Sequence, residues 1–140
     1  MGRINVKSVV FGGLLAGLII NISETILNMP VMGADLEATL KSLNLPAVGG
    51  GAIGVFILGG FGLGVLLVWL YAGMRPRFGA GPSTAIKAGV AVWLLAYVWP
   101  SLGLGLMGFM PAKLLTIGVI WGLVEVILAA LVGGWCYKEA

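Results

Sequence analysis

Four uncharged or nearly uncharged runs dominate this chain and decide what it can fold into. They are Val9 to Ile22, continued by a polar stretch to Leu27; Ala47 to Gly73; Ala88 to Met110; and Leu114 to Val124, continued past Glu125 to Tyr137. A helix needs about 20 apolar residues to cross the hydrocarbon core of a bilayer. Each run reaches that length, the first and last by including one glutamate. Backbone N–H and C=O groups find no partner in lipid, so a spanning segment must satisfy them internally. The runs are too long for barrel strands and lack their alternation. The expected fold class is therefore all-α: a polytopic transmembrane four-helix bundle in one domain, 1–140. Its helices are placed at about 5–29, 47–73, 84–109 and 112–137.

Composition agrees with a lipid solvent. Only 9% of residues are charged, where soluble domains run near 25%. The basic start "MGRINVKSVVFGGLLAGLI" resembles a signal peptide but lacks a small-x-small cleavage site, so it is read as the first span. Charge position gives the orientation. Arg3, Lys7, Arg75, Arg77, Lys87 and Lys138 lie at the termini and second loop, against only Lys41 and Lys113 in the other loops. That bias places both termini in the cytoplasm. The basic residues flank helices and form no stripe, so no nucleic-acid partner is expected. Cys136 is the single cysteine and histidine is absent. An internal disulfide and the usual ligands for haem, copper and catalytic zinc are thereby removed.

The connections add detail. In "PVMGADLEATLKSLNLP", Leu36, Leu40 and Leu43 share a helical face, Glu37 and Lys41 are spaced i, i+4, and Asp35 is a candidate cap. A short amphipathic helix on the outer surface is expected there. Ser83 is a candidate N-cap for the third span, and Pro111 suits the first turn of the fourth. The tight "GFMPAK" loop makes spans three and four antiparallel neighbours. Pro100 should kink the third span. Trp69, Tyr71, Trp135 and Tyr137 occupy aromatic-belt positions. Two internal similarities, Val6 with Ile86 and Gly17 with Gly118, are mutually incompatible as one duplication; chance in so biased a composition explains either.

The most informative pattern is a mixed seam of small and polar residues. Gly13, Gly17, Asn21, Glu24 and Asn28 fall on one face of the first span; Gly118, Gly122, Glu125, Ala129 and Gly133 repeat the device in the fourth. Gly50 with Gly54 and Gly60 with Gly64 do the same in the second. Small residues at four-residue spacing let helix backbones approach closely. An ionised side chain at the bilayer centre costs about 2.5–3.5 kcal/mol, so Glu24 and Glu125 should face protein or water. Helix levels suggest a Tyr97–Glu125 hydrogen bond and an outer cluster of Asn21, Glu24, Ser101 and Thr116. The same levels separate the two acids by about eight residues of depth, roughly 12 Å. Helix-joining hydrogen bonds are the simplest role for these groups; a substrate, proton or ion site is the sharper one. Trp93, Tyr97, Trp99 and Trp121 are candidates to line a groove for lipid, quinone or carotenoid, with ordinary packing the simpler role.

The segments "VWLYAGMRPRFGAGPSTAIKAGVAVWLLAYVWPSLG" and "IWGLVEVILAALVGGWCYKEA" resemble a group of small bacterial membrane proteins with four predicted helices. The resemblance implies a bacterial inner-membrane location and carries no activity, ligand or catalytic residue. The expected role is a structural or accessory subunit of a larger or homo-oligomeric membrane assembly, with lipids and other integral subunits as partners. The alternative is a small channel or transporter built on the Asn/Glu site. Enzymatic function has the least support, since neither a metal cluster nor a nucleophile–base pair is evident, and no cofactor beyond a peripheral lipid or carotenoid is expected.

Overall fold

The computed structural model describes residues 2–140. Helix α1 (Val6–Ile26) runs into a π-helical turn, Leu27–Val31, that carries Pro30. Helix α2 (Gly33–Ser42) follows, then α3 (Gly50–Phe78). Helix α4 (Pro82–Trp93), a π turn at Leu94–Val98 and α5 (Trp99–Leu106) form one continuous helical rod, and α6 (Ala112–Cys136) closes the chain. No strand occurs among the described residues. Four helical stretches are long and apolar enough to cross a membrane: Val6–Val31, Gly50–Phe78, Pro82–Leu106 and Ala112–Cys136.

The ends of these elements depart from expectation in physically simple ways. Helix α3 continues through Pro76 to Phe78, and stops where Gly79 takes φ +83, a left-handed conformation that glycine adopts without steric cost. Helix α4 starts two residues early. Its N-cap is Gly81 and Pro82 occupies the first turn, where a missing N–H costs nothing. Ser83 is therefore not the cap; its hydroxyl accepts from Lys87 Nζ at 3.0 Å. Pro111 sits at the N-cap of α6 rather than inside its first turn. Helix α2 forms as expected, with Lys41 and Glu37 paired at 2.8 Å. Asp35, however, does not cap it: Met32 holds that position and Asp35 pairs with Lys113 at 2.9 Å, tying α2 to the start of α6. Leu36, Leu40 and Leu43 line an apolar cleft against Leu104, Phe109 and Met110.

Helix α6 touches each of the other spans, and α1 packs on α3 and α6. Close backbone approach explains the glycines. A Cβ on Gly17 would fall 2.7 Å from Phe61 Cα, and one on Gly12 2.7 Å from the Gly133 carbonyl oxygen. Gly13 meets Val65 Cα, and Gly64 meets the Gly17 backbone, just as tightly. Gly118 departs from this: nothing lies within 4 Å of its would-be Cβ, so it is not a packing glycine. The core around these crossings contains Leu67, Val68, Val126 and Ala129, each fully buried.

Both termini lie at one end. Asn5 N–H donates to Tyr137 Oη at 3.2 Å, and Lys138 N–H donates to Ser8 Oγ at 2.7 Å. There Arg75 lies over Tyr71 and Tyr137, 5.8 and 5.2 Å from the ring centroids. These two tyrosines are buried and meet edge to face. They are an internal clamp, while Trp69 and Trp135 remain exposed in the belt manner. The opposite half of α3 behaves differently: residues 50–59 are exposed throughout.

Candidate functional site

The site begins with the geometry of the third rod. Pro100 lacks an N–H, so the helix loses a bond one turn earlier. The interruption coincides with the π turn Leu94–Val98, which contains Tyr97. Such bulges re-aim side chains at functional positions. Here the bulge lays the Tyr97 ring directly on Gly122 of α6. A glycine is required there because any Cβ would overlap the ring. Gly122 is thus packed, but against an aromatic ring rather than a helix backbone.

From that position Tyr97 Oη donates to Glu125 Oε1 at 2.6 Å. Glu125 is 2% exposed, the most deeply buried acid among the described residues. Its other oxygen, Oε2, is buried and accepts no hydrogen bond. The side chains of Ser23 and Glu24 approach from α1 closely enough to interact with the Glu125 carboxyl. Ser23 Oγ accepts from Trp121 Nε1 at 2.8 Å. Asn28 Nδ2 donates to Glu24 Oε2 at 2.8 Å and to the Glu24 carbonyl at 2.9 Å, holding that carboxylate in place. A second indole, Trp93, donates to the Val119 carbonyl at 2.8 Å and pins the rod to α6.

The two acids therefore meet, against the expectation that 12 Å of depth would part them. The Trp121–Ser23 bond sets the register between α1 and α6. Glu24 is next to Ser23, and Glu125 is one turn beyond Trp121. The two helices are antiparallel, so these offsets lie on opposite sides of that level and add to about 7–8 Å along the axis, a gap that two glutamate side chains span. Counting depth from helix ends missed this, because levels depend on which residues face one another.

The expected outer cluster of Asn21, Glu24, Ser101 and Thr116 does not form. Asn21 Nδ2 donates to the Gly17 and Ile57 carbonyls, at 3.0 and 3.1 Å, and so joins α1 to α3 instead. Its side chain rests on Gly60, where a Cβ would sit 2.6 Å from Asn21 Oδ1. Thr116 is exposed and its hydroxyl donates back to the Ala112 carbonyl at 2.8 Å. Among the described residues no hydrogen bond joins Ser101 to either acid. Trp99 is exposed and stands outside the site. What sequence reasoning missed is Ser23, one residue off the glycine seam, and the role of Trp121 as its donor.

Beside Glu125 a shallow cleft of about 450 Å³ opens between α1 and α6. Its wall is almost wholly apolar, made by Ile117, Ile120, Trp121, Val124 and Leu128 with Ser23 and Glu125 beside them, and Glu125 Oε2 is buried from it. Ile120, Val124 and Leu128 are exposed on the outside of the bundle. No cluster of three potential metal ligands occurs among the described residues.

No family model, curated protein or solved structure matches this chain. A buried carboxyl pair, a phenol and an indole-held hydroxyl can exchange protons or receive a cationic group.

Proposed function

We propose that this chain is a subunit of a larger or homo-oligomeric assembly in a bacterial inner membrane. Four spans form the bundle, with both termini in the cytoplasm and α2 on the outer face. The observation that carries the reading is the outer half of α3. Residues 50–59 are each exposed, among them Ile53, Val55, Phe56, Ile57 and Leu58. Nothing lies within 4 Å of where a Cβ would stand on Gly50, Gly51, Gly54 or Gly59. At Gly13, Gly17 and Gly64, glycines at the same spacing, a neighbouring backbone fills the space. A lipid-facing helix gains nothing from four open glycines, whereas a second helix gains close packing. The test is extraction in mild detergent followed by native mass spectrometry. The particle should exceed the 14.5 kDa of one chain, and Gly51→Leu with Gly54→Leu should disperse it. A wild-type protein that is uniformly monomeric in lipid nanodiscs would defeat the reading.

A second reading is supported by the meeting of Glu24 and Glu125: the chain moves protons or a cation through the membrane. One four-helix bundle is thin for a pathway, so this role also calls for an oligomer. Liposome flux that is indifferent to both Glu24→Gln and Glu125→Gln would count heavily against it.

A further inference from the structure

We propose that Glu24 and Glu125 bind one proton between them: it sits on Glu125 Oε2, is donated toward the Glu24 carboxylate, and leaves the pair with a single negative charge. The proposal rests on the reading of the acid pair as a proton site. It stands whether or not protons cross the bundle.

Charge is the first ground. The Glu24 side chain approaches the Glu125 carboxyl closely enough to interact. Two carboxylates that share a buried site repel, and one of them keeps its proton. No cation relieves that repulsion. Among the described residues the ion pairs join Lys41 with Glu37, Arg75 with Glu139 and Lys113 with Asp35, and none includes either acid. The elements packed around the pair bring no closer charge. The one basic residue of α1 is Lys7, 17 residues from Glu24, and that of α6 is Lys113, 12 residues from Glu125. The third rod has Lys87, ten residues from Tyr97. Helix α3 carries no titratable side chain before Tyr71. Ser23 and Tyr97 face the pair as hydroxyls, which donate hydrogen bonds but cancel no charge.

The hydrogen bonds place the proton. A carboxylate can only accept. Glu125 Oε1 takes the Tyr97 hydroxyl at 2.6 Å, while Oε2 is buried with no donor. With a proton on Oε2, that atom becomes a donor and the Glu24 carboxylate its acceptor. Oε1 remains the carbonyl oxygen that accepts from Tyr97. Asn28 Nδ2 already donates to Glu24 Oε2 at 2.8 Å, so two donors address Glu24, as suits the member that keeps the charge. The orphaned oxygen is then answered, as buried polar groups normally are. Its burial leaves no room beside it for water or a metal ion; a proton needs none.

The proton reaches the pair from the end that carries α2. Glu24 and Asn28 are half-buried, and Asn28 stands three residues, about 4.5 Å, from the end of the span at Val31. Toward the termini Glu125 is backed by Val126, Ala129, Ala130, Leu67 and Val68, all buried and apolar. Loading forms one O–H bond and converts two carboxylates into one carboxyl and one carboxylate; nothing else is consumed.

The test is infrared spectroscopy of the full chain in lipid nanodiscs at neutral pH. A protonated carboxyl gives a carbonyl stretch that carboxylates lack. The other three acids, Asp35, Glu37 and Glu139, are exposed, and exposed carboxyls are ionised at that pH. One such band is expected, and it should shift on transfer to D2O. Glu125→Gln should remove it. Glu24→Gln should shift or remove it, because the proton loses its charged acceptor. Should a glutamine variant fail to fold, Tyr97→Phe keeps the ring and should raise the frequency, because the carbonyl oxygen loses its donor. No band in the wild type, a band that survives Glu125→Gln, or one unmoved by both Glu24→Gln and Tyr97→Phe would overturn the proposal. Proton flux into liposomes is a separate measurement. The band without flux would support the proton pair and remove the transport reading; flux that needs both acids, with no band, would do the reverse.

Discussion

At the scale of single residues, the consequential choice is a phenol opposite a carboxyl in a span. Tyr97→Phe keeps the ring that packs on Gly122 and deletes only the donor to Glu125 Oε1. Side-chain hydrogen bonds within membrane bundles average about 0.6 kcal/mol, with a maximum near 1.7. The variant should therefore lose about that much stability in thermal denaturation in micelles. A larger loss would mean that the phenol holds the π turn itself. The same level of detail separates effective charges from idle ones. Glu37 and Lys41 are paired at 2.8 Å but both are fully open to water. The hydrogen bond and charge of Lys41 hold the Glu37 carboxyl below its ordinary range; Glu37 raises Lys41 in return. A depressed acid contributes at pH above its unfolded pKa and loses the contribution as pH falls through the lowered folded value. Acidification should thus weaken the α2 pair, yet exposed pairs contribute little. Glu37→Gln should leave the melting midpoint unchanged within error at neutral and at acid pH, and a clear fall would show that α2 helps hold the bundle.

At the scale of elements, glycine position decides which helices can touch. Gly17→Leu must displace Phe61 and the α3 backbone, and overpacking of this kind typically costs about 1–3 kcal/mol. Gly118→Ala meets nothing and should lie within about 0.5 kcal/mol of wild type. Thermal melts of the pair, run in one detergent, distinguish a packing seam from a mere spacing pattern. The contrast also marks the limit of reading sequence. Gly13, Gly17, Gly64 and Gly118 all follow the four-residue rule, but the rule reports only that residues share a face. Whether a face meets a partner depends on helix rotation, which no local pattern encodes. The spans themselves were legible, because length and apolarity are local properties. The Tyr97–Glu125 contact was legible too, since a tight loop fixes the register of neighbouring helices. The Glu24–Glu125 approach was not, because α1 and α6 are distant in sequence and their register rests on Trp121 meeting Ser23. The π turn that aims Tyr97 was visible only as Pro100, whose lost N–H gives the place of an irregularity and not its form.

At the scale of the whole molecule, the two ends are built by different physics. The termini end is closed by packing and hydrogen bonds: Arg75 over Tyr71 and Tyr137, Asn5 to Tyr137, Lys138 to Ser8. The end carrying α2 is held by the exposed Lys113–Asp35 pair and an apolar cleft beneath Leu40 and Leu43. Six of the eight basic residues belong to the closed end, and retention of lysine and arginine on the cytoplasmic side should orient the bundle accordingly. Cysteine accessibility tests this directly. With Cys136→Ala as background, Lys41→Cys is in α2 and Arg77→Cys lies near the end of α3 before the second loop; both positions are exposed. An impermeant maleimide applied to intact spheroplasts should label Lys41→Cys at once and Arg77→Cys only after permeabilisation. The opposite order would invert the molecule. It would also bring Glu24, seven residues from Val31 at the far end of its span, nearer to the cytoplasmic than to the outer surface, and so reverse the direction from which a proton would reach the acid pair.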